Sequence, residues 1–104
     1  MRLGEWLKGL PKPVAILTWN ASSSREIIYA CLEASLLVPE EVAVLSGSDD
    51  DVLCEFLQIP VSAILVGAEQ IGHEAARVLH RLMNGRPAPK KPILIPPLGV
   101  VTRQ

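Results

Sequence analysis

Aromatic residues are scarce in this chain. Trp6, Trp19, Tyr29 and Phe56 make up 4% of the 104 residues, so a core has to be assembled from Ile, Leu, Val and Ala. Cysteine is rarer still. Cys31 and Cys54 lie inside apolar periodic segments and lack the spacing of a zinc site, which predicts reduced, buried thiols rather than a disulfide or a metal. Basic charge is not in excess: ten Lys and Arg stand against eleven Asp and Glu, a formal net charge of −1. That balance excludes the basic footprint of a nucleic-acid surface on this piece. No apolar run approaches the ~20 residues of a membrane span. The N-terminus has no apolar segment of the signal-peptide kind, so a cytoplasmic location is expected. What remains, 49% hydrophobic and 20% charged residues, is globular in composition and the size of one small domain or part of a larger one.

Periodicity divides the chain into alternating elements. Leu3, Trp6, Leu7 and Leu10 have the i, i+3, i+4, i+7 spacing of an amphipathic helix, ended by Pro11 and Pro13. Residues 14–19, "VAILTW", read as a strand buried on both faces. A helix follows, with Ile27, Ile28, Cys31, Ala34 and Leu37 on one side; Ser23 and Glu26 fit a capping box and predict its start near Ser23. "EVAVLS" is a second buried strand, "DDDVLCEFLQ" a short helix and "VSAILV" a third strand. The stripe Ala68, Ile71, Gly72, Ala75, Ala76, Leu79, Leu82 and Met83 predicts a long helix, with Gly85 at its C-terminal cap and Gly72 allowing close packing. "ILIPPLGVV" offers two short edge strands around Pro96 and Pro97. The order α-β-α-β-α-β-α-β-β predicts an α/β fold of three layers, a mostly parallel sheet with helices on both faces. Ligands of such sheets sit at the carboxyl ends of the strands.

Three consecutive aspartates, Asp49, Asp50 and Asp51, follow the second strand at such an end. Carboxylates in a first helical turn satisfy free N–H groups and oppose the macrodipole, which is the reading for Asp50 and Asp51. A magnesium site of the receiver or flavodoxin-like kind needs acids from several strand ends, and the first strand ends in Asn20 with no acid nearby. The third reading makes one aspartate an acceptor for the hydroxyls of a polar ligand. His73 and His80 are seven apart, and Arg77 stands where a zinc-protease helix needs its second histidine. "GAEQIGH" has the glycine spacing of a phosphate loop but not its Lys-Ser/Thr. Ser22, Ser23 and Ser24 have no histidine or acid in the same strand-end set, and the cysteines lack an activating base. No catalytic constellation emerges, so neither an enzyme nor a cofactor is expected.

The order of motifs resembles the effector-binding domain of the LacI family of transcription regulators. That family runs strand, Asn-Asp, helix, a Gly-Leu-x-Val-Pro-Glu-Asp-Val-x-Val join, a strand ending in Gly-x-Asp-Asp, a Pro-Leu-Thr-Thr strand and a helix with Gly-x-x-Ala-Ala. Here "TWNA", "SLLVPEEVAVLSGSDD", "IPVSAILV" and "IGHEAARVLHRLMNG" occur in that order. The opening "RLGEWLKGLP" and the closing "ILIPPLGVVTR" look like the branch of xylose operon regulators, in which a LacI-like sensor is joined to an AraC-type DNA-binding domain.

The resemblance implies a type I periplasmic-binding-protein-like sensor, with a small sugar, xylose or a relative, as its effector. It implies ligand contacts from Asn20 and from Ser48 or Asp49, with Trp19 as a stacking surface; Ala21 stands where the family has Asp. It also implies that residues 1–104 are the C-terminal portion of such a domain, with the first lobe largely missing and the DNA-binding domain absent. One wall of a cleft is then expected to give no measurable pentose binding, whereas the intact regulator binds, and operator DNA is reached through a domain outside this chain. Asn20 and Asp49 are expected on one sheet edge, facing solvent. The apolar stripe between Ala68 and Met83 is expected to fold back or, preferably, to drive self-association. A periplasmic sugar-binding protein of the same fold and a small magnesium-dependent domain are the rival readings.

Overall fold

The computed structural model describes residues 2–104 and divides into two units, one of Met1–Leu65 with Gly99–Gln104 and one of Val66–Leu98. In the first unit the elements are α1 (Leu3–Gly9), β1 (Val14–Thr18), α2 (Ala21–Glu33), β2 (Val42–Ser46), α3 (Asp51–Phe56), β3 (Ser62–Leu65) and β4 (Gly99–Val101). The sheet order is β1-β2-β3-β4; the first three strands are parallel and β4 runs antiparallel to β3. This is the expected α/β arrangement of a sheet flanked by helices.

Side-chain alternation decides where the core lies. Val42, Val44 and Ser46 of β2 are buried, and their register partners in β1 are Val14, Ile16 and Thr18. Partners in register point to the same face, so this face receives Ile28 and Cys31 of α2 and Cys54 of α3 in one buried cluster with Leu7, Val61 and Ala63. The core is aliphatic, and both thiols are free and buried. Burial pushes the Cys31 thiol up from its ordinary pKa, against the nearby charge of Lys12 and with a smaller contribution from Glu41 in the same direction as burial.

The first strand is not buried on both faces as its run of apolar residues implied. Leu17 is 65% exposed and Ala15 is exposed too. The cause is topological: β1, β2 and β3 follow chain order across the sheet, and α2 packs on β1 and β2 and against both α1 and α3. These helices therefore share one face, and the second face of β1 receives no helix of this unit.

The start of helix α2 corrects a further expectation. Helix α2 begins at Ala21 rather than near Ser23, because the extended Asn20 accepts the Ser23 N–H at 2.9 Å. An asparagine directly after a strand is among the best N-caps and pre-empts the later capping box. Ser24, placed one turn inside, is fully buried and bonded to Thr18 at 2.6 Å. At the other end Leu36 N–H reaches Cys31 C=O at 2.8 Å and Ser35 N–H reaches Leu32 C=O at 3.1 Å, with Ser35 at φ 58°. That is a Schellman closure with serine in the left-handed position usually held by glycine. Helix α1 is closed differently: the Lys12 ammonium donates to the carbonyls of Leu7 and Leu10, both at 2.6 Å.

The second unit consists of α4 (Ala68–Met83) and the segment after it. Its C-terminus is the Schellman closure expected at Gly85: φ is 76°, Gly85 N–H bonds Leu82 C=O and Arg86 N–H bonds Arg81 C=O, both at 3.1 Å. Every residue of α4 is exposed or half-buried, so the apolar stripe is open. Gly72 accordingly plays no close-packing role, since among the described residues nothing lies within 4 Å of where its Cβ would stand. A groove of about 650 Å³ runs between this stripe and the 89–95 segment, lined by Ile71, Val78, Leu79, Leu82, Ile93 and Ile95. Residues 93–95 form no strand, contrary to expectation; Pro92, Pro96 and Pro97 remove the ladder donors around them.

Candidate functional site

Parallel pairing of β1 with β2, Thr18 opposite Ser46, brings the two strand ends to one edge of the sheet. Asn20 and Asp49 follow those ends and share that edge, as expected. The strand ends approach closely. Gly47 N–H donates to Thr18 C=O at 2.9 Å, and a Cβ on Gly47 would meet Thr18 O at 2.7 Å and Trp19 O at 2.8 Å. Only a residue without a side chain lets the backbone turn here.

Each candidate residue has a definite place. Trp19 is 85% exposed and offers a free ring at the edge. Asn20 is half-buried, and its Oδ1 is committed to the α2 cap, which leaves the amide NH₂ as its donor. Ser48 is half-buried, with its carbonyl accepting from Ser46 Oγ at 2.5 Å. The expectation that Asp49 faces solvent is corrected. Its side chain is only 11% exposed, because the Arg103 guanidinium, itself 10% exposed, donates to Oδ1 at 2.9 Å. Asp50 is the α3 cap, accepting Leu53 N–H at 2.9 Å, and Asp51 stands in the first turn, as read from the sequence.

Arg103 is the residue that sequence reasoning missed. Its Nε donates to Glu55 at 2.7 Å, Nη1 also donates to Val61 C=O at 2.9 Å, and Nη2 lies 3.7 Å from Asp51. Its own N–H donates to Ser62 Oγ at 2.9 Å. Beside it, the Gln104 amide accepts Val44 N–H at 3.1 Å and donates to Pro60 C=O at 3.2 Å. The side chain thus bridges β2 to the entry of β3, where the strand ladder itself begins only at Leu45.

The charges follow from this geometry. The Arg103 hydrogen bond, opposed by burial, holds the Asp49 carboxyl below the usual carboxylate range. Asp51 is pushed upward, first by its hydrogen bond to Asp49 and then by that residue's charge. Asp49, in turn, raises Arg103 above its ordinary value. The positive charge among these acids is a guanidinium, and among the described residues no group of three or more His, Cys, Asp or Glu side chains is arranged to hold a metal ion. His73 and His80 are exposed on α4, where His80 Nε2 pairs with Asn84 at 3.2 Å. The edge therefore presents hydrogen-bond donors, acceptors and an aromatic face, the equipment for holding a polyhydroxyl ligand.

Comparison with known proteins identifies the family. Residues 1–104 match the family described as a periplasmic binding protein-like domain. The chain belongs to this family. It is 37% identical over 99 residues to a xylose operon regulatory protein of Haemophilus influenzae, covering 94% of this chain and 25% of the relative. Its identity to the Escherichia coli xylose operon regulatory protein is 35% over 104 residues, 99% of this chain and 26% of the relative. Among solved structures, a xylose-binding transcription activator superposes with a TM-score of 0.82 at 31% identity, covering 98% of this chain and 27% of that one. The chain thus spans about a quarter of the length of the curated relatives it matches, and these relatives are transcription regulators. Among the described residues no helix is long and apolar enough to cross a membrane.

Proposed function

We propose that this chain is the C-terminal portion of a LacI-like effector-binding domain in a xylose-responsive transcription regulator, and that it carries one wall of the sugar cleft. The observation that carries the reading is the shared edge of Asn20, Ser48 and Asp49 at two adjacent parallel strand ends, in a chain matched along its whole length by the periplasmic binding protein-like family. The Asn20 amide donates to a sugar hydroxyl, Ser48 and Asp49 bond others, and the exposed Trp19 ring stacks on the pyranose face. The role is binding, not catalysis. Effector binding shifts a two-state equilibrium of the lobes and so repositions an AraC-type DNA-binding domain carried elsewhere in the regulator, in the cytoplasm. The open stripe of α4 packs on the rest of the sensor or, in this chain alone, on a second copy.

The site is tested by titrating D-xylose into the Escherichia coli relative with its matching segment replaced by this chain, isotope-labelled and followed by nuclear magnetic resonance, so that the second wall of the cleft is present. Shifts concentrated at the Trp19 indole and at the amides of Asn20, Ser48 and Asp49 support it. A silent strand-end edge, or shifts confined to the α4 groove, contradicts it.

A further inference from the structure

We propose that Arg103 is the positioning residue of this sugar site: it holds Asp49 through Oδ1, presents the remaining carboxylate lone pairs to a hydroxyl, and ties the occupied carboxylate to the seating of β4. The inference rests on the reading of Asp49 as a ligand acceptor. An ionised carboxylate has about four acceptor positions, so the Arg103 N–H and the Asp51 hydrogen bond together still leave capacity for a ligand hydroxyl. A carboxylate on a loop after a strand is free to rotate unless something fixes it. Here the fixing group is anchored at three points besides Asp49: Glu55 of α3 at 2.7 Å, the Val61 carbonyl at 2.9 Å and, through its backbone N–H, Ser62 of β3 at 2.9 Å. The planar fork makes bonds in several fixed directions at once, which an ammonium cannot reproduce.

The arrangement also has a mechanical consequence. Val101 of β4 pairs with Ala63 of β3, and Arg103 follows two residues later. Whatever a ligand does to Asp49 is transmitted through the guanidinium to the end of this antiparallel strand. Asp49 thus connects to the end of a chain segment that returns to the sheet from the Val66–Leu98 unit.

The test compares variants of the chain, each grafted into the Escherichia coli relative, in the D-xylose titration followed by nuclear magnetic resonance, with hydrogen exchange of the β4 amides read in parallel. Arg103→Gln and Arg103→Lys are expected to lose the xylose-dependent shifts of Ser48 and Asp49 and to lower protection at residues 99–103. Glu5→Gln, an exposed carboxylate of α1 that makes no contact with Arg103 or Asp49, is expected to keep both. Arg103→Lys retains the charge and guards against misreading an unfolded Arg103→Gln. Unchanged xylose shifts in folded Arg103→Lys, with Asp49→Asn abolishing them, overturn the positioning role and leave the sugar site standing. Wild-type shifts that survive Asp49→Asn overturn the assignment of Asp49 itself.

Discussion

Arg103 Nη1 lies 2.9 Å from Asp49 Oδ1, an ion pair between residues 54 positions apart with about a tenth of each side chain exposed. Such a pair is worth most when neither charge can turn to water for replacement. Truncating one partner strands the other, and hydrogen bonds to charged groups contribute about 1.5–3 kcal/mol. Asp49→Asn is therefore expected to lower stability by about 2 kcal/mol at neutral pH in chemical denaturation.

The same pair sets a pH dependence. The folded-state pKa of Asp49 is depressed, so its stabilisation is fully present above the unfolded value of ~3.9 and is lost as pH falls through the lower folded value. Denaturation midpoints measured from neutral pH downward are expected to fall in that acidic window for the natural chain and to fall less for Asp49→Asn. Equal slopes for the two proteins contradict the pairing.

Gly47→Ala probes the approach of the strand ends. The added methyl would sit 2.7 Å and 2.8 Å from two backbone oxygens, so β1 and β2 must part at the site. Overpacking of this kind costs about 1–3 kcal/mol. The measurement is again denaturation, and a neutral Gly47→Ala contradicts the close approach.

Ser35→Gly runs in the opposite direction. A non-glycine residue in the left-handed region costs roughly 1–2 kcal/mol, while glycine adds about 0.5–1 kcal/mol of unfolded-chain entropy. The balance is an expected stabilisation of about 0.5–1 kcal/mol. A loss of stability in Ser35→Gly would show that the serine hydroxyl matters more than its backbone angle.

Helix α4 supplies a test of assembly. Its open stripe includes Ile71 and Leu79, both exposed. Light scattering is expected to show mass rising with concentration for the natural chain and a monomer for Leu79→Lys. A strict monomer in both rules out self-association through this face.

Local signals were legible in the sequence, and long-range ones were not. The alternation of apolar runs with helical stripes located every helix and the three parallel strands, and Gly85 marked the end of α4 through its φ of 76°. Parallel pairing then placed Asn20 and Asp49 on one edge. The second edge piece read in "ILIPPLGVV" is β4, at the edge of the sheet beside β3; what escaped were the partners of Arg103 and Gln104 beyond it. Nothing near Arg103 in the chain identifies Asp49 as its partner, and nothing near Gln104 identifies Val44. The burial of β1 was overestimated for a related reason. "VAILT" reads the same whether its second face meets a helix or remains open, and the sheet order decides between them.

The most direct test of the central claim is calorimetry with D-xylose on two proteins. One is the 104-residue chain; the other is the Escherichia coli relative with its matching segment replaced by this chain and its fold verified by circular dichroism. Enclosing pockets bury about 70–90% of a drug-sized ligand, and a single wall does not. The account expects no measurable heat from the chain alone and xylose binding by the graft, reduced at least about ten-fold, or about 1.4 kcal/mol, when Asp49→Asn is introduced. A folded graft that ignores xylose, or one indifferent to Asp49→Asn, would contradict it.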